Sequence, residues 1–377
     1  MDSIKSYLEK MGSNFLIAGF IPSLAFVAIG MFAFGPVLPL SVRTRLGGDL
    51  NLFSQAGFIS LLATIVLGFT LTSLNTFFIK IFEGYIFLEH IPTLRKSELR
   101  KEKKLQSKMN WVKRILARYE GNMGHPTAQK YLSILNELQI QYERRFPIHR
   151  AEMMPTQFGN ILKAAEGYSR ERYQIDAVPM WPRIISVIPT GYNLRIEETH
   201  NQLSFLVNCS LLAGLLGIQS LLVSIFQAIS VNFVARGLNQ ILYFIPVFPN
   251  LVDVYTQRIW LYLCFALIAF FMMYIFYRAA LLSVVDFGDM IRSVYDLFRF
   301  DLLKQLHLPL PRNSNQEGTL WGKICEFINV GYSLDSETEE DQDLDDQRNL
   351  TPAEQEIRDD KHSKLVFNHD IAEKPAV

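Results

Sequence analysis

Glu197 and His200 are the residues whose types and spacing come closest to a recognised chemical site. They form a Glu-x-x-His pair, and residues three apart lie on one face of a helix, where a carboxylate and an imidazole can hold a metal ion together. A di-metal helical bundle needs two such pairs and further carboxylates, and the sequence has no second Glu-x-x-His. The pair is therefore not predicted to bind a metal.

Motifs of the common enzyme classes are missing from the sequence. It has no Gly-rich phosphate loop, no Gly-x-Ser-x-Gly elbow, no His-Glu-x-x-His and no Cys-x-x-Cys. The acidic run at 335–346 lacks the glycine and the closing glutamate of an EF-hand loop. The three cysteines stand apart and indicate no disulfide framework. We therefore expect a protein that is not an enzyme and that needs no cofactor.

Polar side chains inside apolar segments form a second group of candidates. Burying an unpaired amide in hydrocarbon costs a few kcal/mol, so such side chains should face protein or a water-filled path. They either form hydrogen bonds that hold the helices together or line a conduction path. The pore-lining candidates are Thr72, Asn75, Asn208 and Gln219.

Four apolar segments position these residues. Hydrophobic residues make up 49% of the 377, which is high for a soluble protein of this size. They concentrate in runs long enough to cross about 30 Å of hydrocarbon, at 14–40, 57–82, 203–228 and 259–278. The first run is too long for the apolar part of a signal peptide. No run carries a charged residue in its middle, which argues against proton-driven transport and voltage sensing.

The distribution of Lys and Arg predicts the topology, because positively charged loops stay in the cytoplasm. Residues 91–200 hold 19 Lys plus Arg against 11 Asp plus Glu, whereas the loops 41–56 and 229–256 hold only three Lys or Arg together. We expect a multi-pass protein of the cell inner membrane with both termini in the cytoplasm. The fold class is then an all-α integral membrane protein, with four transmembrane helices and a mainly helical cytoplasmic domain inserted between the second and the third.

This topology divides the chain into six regions. They are an amphipathic helix at 1–12, a transmembrane hairpin at 13–90, a basic cytoplasmic domain at 91–200, a second transmembrane hairpin at 201–280, a cytoplasmic helix at 281–334 and an acidic tail at 335–377. The tail has 14 Asp plus Glu against 5 Lys plus Arg and few apolar residues, so it is predicted to be disordered.

Basic residues recur along the first half of the cytoplasmic domain. Apolar side chains at the 3.6-residue period predict an amphipathic helix at 94–119, and the turn "GNMGHP" joins it to a second helix. Its cations could be merely solvated, attract anionic lipid or hold a phosphate-rich signalling ligand. Few aromatic residues lie between them, which disfavours nucleic acid. The ligand or lipid candidates are Arg100, Lys103, Lys104 and Lys108.

The densest polar stretch of the chain is "PTQFGNILKAAEGYSRERYQIDAVPMWPRI", residues 155–184. A turn at Gly159 and Asn160 leads into good helix formers, and charged residues then alternate with aromatic ones in a mixture suited to an ion-pair network. Further along, four charges share one helix face and are predicted to pair along it and to dock on the cytoplasmic domain. They are Asp289, Arg292, Asp296 and Arg299.

This stretch resembles a segment of a family of bacterial integral membrane proteins with four spans. The similarity rests on Pro155-Thr156, Gly159-Asn160, Ala164-Ala165-Glu166, Tyr168, Arg172-Tyr173, Ile175-Asp176 and Trp181-Pro182-Arg183. It covers about thirty residues closely and the four-span layout loosely, and it implies that the segment lies in the cytoplasm between two helical pairs. No catalytic residue is carried over. The structural motif residues are Gly159, Asn160, Glu166, Arg172, Tyr173, Asp176, Trp181 and Arg183.

Two functions remain open at this point. The first is a homo-oligomeric passive pore that the cytoplasmic domain gates, because polar faces within spans need partners that symmetric assembly supplies. A small bundle with a cytoplasmic sensing domain also resembles effectors of bacterial anti-phage systems that permeabilise the inner membrane. The second is a non-conducting membrane scaffold or sensor that recruits a soluble partner through the basic helices or the acidic tail.

Overall fold

The computed structural model describes residues 15–34, 55–86, 88–119, 124–238 and 248–331. Every regular element within these ranges is helical, and the described residues include no β-strand. The predicted all-α class is therefore confirmed. The predicted helix at 1–12 and the acidic tail at 335–377 lie outside the described residues.

Three helices are long and apolar enough to cross a membrane, namely Phe15–Phe34, Thr190–Ile229 and Arg258–Gln305. The second predicted span is instead a pair of helices, Gly57–Ser73 and Asn75–Glu83, which meet at an angle of 58°. The described part of the chain thus has three helices that could span a membrane, or four if the bent pair counts as one span.

The first two spans are both irregular. Helix α1 (Ile21–Phe34) follows a π-helical stretch at Phe15–Phe20, which precedes Pro22. Helix α2 (Gln55–Ser73) is separated from α3 (Asn75–Glu83) by Leu74. In the last turn of α2 the Thr72 hydroxyl donates to the carbonyl oxygen of Gly68 at 2.9 Å. Threonine hydroxyls bonded in this way loosen and bend a helix, which accounts for a break that contains neither Gly nor Pro.

Four helices of the predicted cytoplasmic domain follow. The predicted basic pair corresponds to α4 (Pro92–Ala117) and α5 (Pro126–Arg145). The polar stretch forms α6 (Gln157–Tyr173) and α7 (Ala177–Ile185). A single 3-10 turn at Arg150–Glu152 connects the two pairs.

Two very long helices connect the membrane region with this domain. Helix α8 (Thr190–Leu238) has 49 residues and α9 (Phe248–Gln305) has 58. At about 1.5 Å per residue they are roughly 73 and 87 Å long, more than twice the thickness of the hydrocarbon layer. Each helix therefore continues beyond a span without interruption, and the cytoplasmic helix predicted at 281–334 begins as an extension of the last span.

The main hydrophobic core lies where these extensions meet the helices of the predicted cytoplasmic domain. It is formed by α6, α7, the first third of α8, the second half of α9 and the final helix, α10 (Ser314–Val330). Its largest fully buried side chains include Trp321, Tyr295, Phe158 and Met180. The polar stretch is therefore packed closely against the extensions of the two long helices.

Candidate functional site at the end of the broken span

The first residues of the polar stretch dock on the end of α3. The hydroxyl oxygen of Thr156 accepts a hydrogen bond from the backbone N–H of Gly159 at 3.0 Å and thereby caps α6. The single hydrogen of the same hydroxyl is shared between two carbonyl oxygens, those of Phe82 at 2.7 Å and Glu83 at 2.8 Å. Carbonyls at a helix end lack partners within the helix, so this one side chain satisfies the ends of two helices.

Two glycines permit this close approach. A Cβ atom at Gly159 would lie 2.2 Å from the carbonyl oxygen of Glu83, which is far inside contact distance. Gly84 ends α3 in the left-handed conformation with φ of 96°, which glycine adopts without the steric cost of a side chain. The ring of Pro155 packs directly on Gly84. We call this contact, between 82–84 and 155–160, the junction.

Asn160 fixes the loop that carries Thr156. It is fully buried, its Oδ1 accepts from the backbone N–H of Met154 at 2.7 Å, and its Nδ2 donates to the carbonyl oxygen of Met154 at 3.2 Å. Both ends of the amide are thus used, as burial of a polar side chain requires. The junction is consequently held on both sides of Thr156.

A salt bridge borders the junction. Lys163 Nζ lies 2.8 Å from Glu166 Oε2 and 5.8 Å from the centre of the Tyr85 ring. Burial by itself would lower the pKa of Lys163, but hydrogen bonds and charges from Glu166 and Tyr85 outweigh that effect and raise it. Lys163 therefore stays cationic, and Glu166 serves as its partner.

The second half of the polar stretch meets α9 through two tyrosines. The Tyr173 hydroxyl donates to Asp296 Oδ1 at 2.6 Å, and the Tyr168 hydroxyl lies 3.1 Å from both carboxylate oxygens of Asp296. Arg172 donates to the Tyr168 hydroxyl at 2.7 Å, and the Arg299 guanidinium lies 4.1 Å from the centre of the Tyr173 ring. These five residues form the tyrosine cluster.

The cluster keeps both phenols protonated. Burial, together with the hydrogen bond to Asp296, raises the pKa of Tyr173 to about 12. Burial and the charge of Asp296 also raise the pKa of Tyr168. Both hydroxyls therefore remain donors at neutral pH, which suits a structural contact and opposes a role as a general base.

The remaining motif residues serve local contacts rather than one network. Asp176 caps α7 by accepting from the N–H of Val178 at 3.3 Å. Arg183 donates to the carbonyl oxygen of Pro179 at 2.6 Å. Trp181 is partly buried, with its ring 6.4 Å from that of Tyr295. The charged and aromatic mixture is thus divided among helix caps, core packing and the tyrosine cluster.

The charged residues of α9 pair with residues of other helices as well as with one another. Arg292 contacts Asp289 at 2.8 Å along the helix, as predicted, but Asp289 also contacts Arg144 of α5 at 2.9 Å. Arg299 pairs with Glu317 of α10 at 2.6 Å. Helix α9 therefore docks on α5 and α10 through its charged residues.

The pore-lining candidates separate into two kinds. Asn208 is fully buried and its Nδ2 donates to the carbonyl oxygen of Ala18 at 2.7 Å. Asn75 Nδ2 donates to Ser204 Oγ at 2.9 Å, one helical turn from Asn208. Thr72 and Gln219 are exposed on the surface of the bundle. Contacts between helices within one chain thus use the two asparagines, and the assignment of all four to a pore stays a prediction.

The basic candidates Arg100, Lys103, Lys104 and Lys108 are all exposed. The acidic residues of α4, by contrast, are buried. Glu98 lies 2.5 Å from Lys101. Glu102 accepts from Arg150 at 3.1 Å and from Tyr142 at 3.0 Å. Helix α4 therefore turns its carboxylates inward and most of its cations outward.

The Glu-x-x-His pair has other neighbours than a metal site would provide. Glu197 accepts from Asn193 at 3.2 Å, and the His200 ring lies 5.6 Å from that of Phe287. Within the described ranges, no three His, Cys, Asp or Glu residues are grouped so that they could hold a metal ion.

Comparison with known proteins adds no family to this geometry. No family model, no curated protein and no solved structure matches the chain. The site has to be judged on its own contacts.

Proposed function

We propose that this chain forms a homo-oligomeric membrane pore that its cytoplasmic domain opens and closes. The junction carries the proposal. Thr156 and Gly159 bind α6 to the last residues of α3, and α3 is the shorter, second helix of the pair that is bent by 58°. A movement of the cytoplasmic domain would therefore pull on α3 and change the bend at Leu74.

Exposed polar residues support assembly from several copies. Gln219 is exposed beside the exposed side chains of Ile218 and Leu222. An amide that faces hydrocarbon without a partner is costly, and a neighbouring copy can supply that partner. Since Asn208 is buried within one chain, the proposed path lies between copies, along Gln219 and Thr72.

Ion flux from liposomes, combined with the size of the purified protein in detergent, tests the proposal. We expect an oligomer whose flux falls in Gln219→Leu while its helicity and melting temperature are retained. As a matched control, Ile218→Leu changes a neighbouring exposed position of the same helix without changing its polarity, and it should conduct like the wild type. A monomer without flux would overturn the pore.

The second candidate is a non-conducting membrane sensor or scaffold. The specific observation in its favour is that both asparagines of the bundle donate to partners in the same chain, as in helices that are only held together. A stable oligomer that passes no ions, in wild type and in a Thr156→Val variant with a loosened junction, would favour this candidate over the pore.

A further inference from the structure

A one-sided basic surface on α4 has no partner within the described chain. Six cationic residues share one side of α4, mostly at steps of three or four, and all are exposed. We call them the outer face of α4: Lys96, Arg100, Lys103, Lys104 and Arg114 within the helix, and Arg118 directly after it. None of its six cations forms an ion pair with a described residue.

Helix α4 itself supplies no negative charge to its outer face. The only carboxylates of α4 belong to Glu98 and Glu102, and both are buried on the opposite side. Because these two carboxylates are bonded on that opposite side, they do not neutralise the cations of the outer face. Solvated basic helices usually mix both signs on their exposed side, so a face with six cations and no anion favours an anionic partner.

The first turns of α4 lie level with the inner end of the spans. Helix α4 begins at Pro92, nine positions after α3 ends at Glu83. Glu98 is close enough to Tyr277 for the two to interact electrostatically, and the Tyr277 ring lies 5.9 Å from that of Phe82 at the end of α3. Tyr277 stands at the end of the last apolar run. The four outer-face cations Lys96, Arg100, Lys103 and Lys104 are therefore placed beside the membrane surface, within about 18 Å of the start of the helix.

We propose that the outer face of α4 binds the anionic phospholipid headgroups that surround the bundle, with Lys96, Arg100, Lys103 and Lys104 as the principal contacts. A cluster of four or more cations next to a span is the arrangement by which proteins recognise anionic lipid. Long Lys and Arg side chains can reach headgroups while their stems stay on the helix. This role requires no conduction and extends the proposed function.

Native mass spectrometry of the full chain, released from micelles with equal amounts of phosphatidylglycerol and phosphatidylcholine, counts the lipids that remain bound. We expect wild type to retain phosphatidylglycerol preferentially. Neutralising four membrane-proximal cations (K96Q, R100Q, K103Q and K104Q) should weaken that preference at least about tenfold, because each cation near a membrane contributes about fivefold. Glutamine preserves the helix propensity, and circular dichroism checks the fold.

A matched variant removes the same charge at the far end of the same pair of helices, through K113Q, R114Q, R118Q and K130Q. It should keep most of the preference. Equal losses in both variants, or none in either, would overturn the proposal. So would retention of pyrophosphate or of a single-stranded oligonucleotide by wild type in place of phosphatidylglycerol, since the outer face would then serve a soluble ligand.

Discussion

At the scale of single residues, the junction depends on one missing side chain. Gly159→Ala would place a methyl group 2.2 Å from the backbone oxygen of Glu83, and that oxygen cannot turn aside as a flexible side chain could. We expect the substitution to separate α6 from α3 and to lower the free energy of unfolding by about 1–3 kcal/mol. Denaturant unfolding followed by circular dichroism measures the change.

Gly167 provides the control for this prediction. It lies in the same helix, with no atom within 4 Å of the position of its missing Cβ. Gly167→Ala should therefore stabilise the protein by about 0.5–1 kcal/mol, since alanine is the better helix former. If both variants unfold alike, the close contact of Gly159 with Glu83 is not what the junction depends on.

Tyr173 gives the tyrosine cluster a defined dependence on pH. Its pKa is raised from 10.0 to about 12 in the folded protein, so the folded state keeps the proton at a pH where the unfolded chain has lost it. The resulting stability is present below pH 10 and is lost as the pH rises toward 12. Unfolding measured across this window should show a fall in stability that is smaller in Tyr173→Phe. An identical fall in both proteins would assign the effect to other groups.

The residue types of the junction were visible in the sequence, but their partners were not. The sequence predicts a turn at Gly159 and Asn160 that leads into a helix, but α6 already begins at Gln157, so both residues lie in its first turn, which Thr156 caps. The carbonyl oxygens that Thr156 binds belong to a helix 74 and 73 residues earlier. Backbone acceptors leave no trace in residue type, so Phe82 and Glu83 could not be singled out. Gly84, a glycine that follows an apolar run, is a signal from which the end of α3 could have been predicted.

At the scale of elements, the irregular start of the first span has an identifiable cause. Pro22 has no N–H to donate to the carbonyl oxygen of Ala18 four residues before it. Asn208 of α8 donates to that oxygen at 2.7 Å. A polar side chain of a neighbouring helix thus satisfies a backbone group that a proline leaves without its usual donor, as the interior of a membrane requires.

A double-mutant cycle tests this pairing. Asn208→Leu alone should destabilise the bundle by about 1–2 kcal/mol, because the carbonyl of Ala18 loses its donor. In a Pro22→Ala background the cost should be smaller, because the backbone at position 22 then carries an N–H that can serve the same oxygen. Unfolding in mixed micelles measures the four proteins. Additive effects in the cycle would show that Pro22 and Asn208 act independently.

Hydropathy predicts the positions of the third and fourth apolar helices well. Runs 203–228 and 259–278 lie within α8 and α9, because an apolar stretch of that length has few alternatives to a helix. The break at Leu74 could not be foreseen, since no Pro or Gly marks it. It accompanies threonine hydroxyls that bind backbone carbonyls in the last turns of α2 and the contact of Asn75 with α8, which depend on geometry rather than on composition.

At the scale of the whole molecule, a net charge of zero conceals two opposite blocks. The segment 91–200 has an excess of eight positive charges, and the tail beyond 334 has an excess of nine negative charges. Eight of the acidic residues fall in the twelve positions 335–346, which follow closely on α10. Because both blocks belong to one chain, a contact between them would be intramolecular and would not depend on protein concentration.

We therefore expect the acidic segment to compete with lipid for the outer face of α4. A variant that lacks only residues 335–346 should bind phosphatidylglycerol with a higher apparent affinity than the wild type at low ionic strength. The difference should vanish near 1 M salt, where the Debye length falls to about 3 Å. A variant in which the eight acidic residues of 335–346 become Asn or Gln keeps the length of the tail and isolates its charge. If that variant and the wild type bind phosphatidylglycerol equally at low salt, the tail does not screen the basic face.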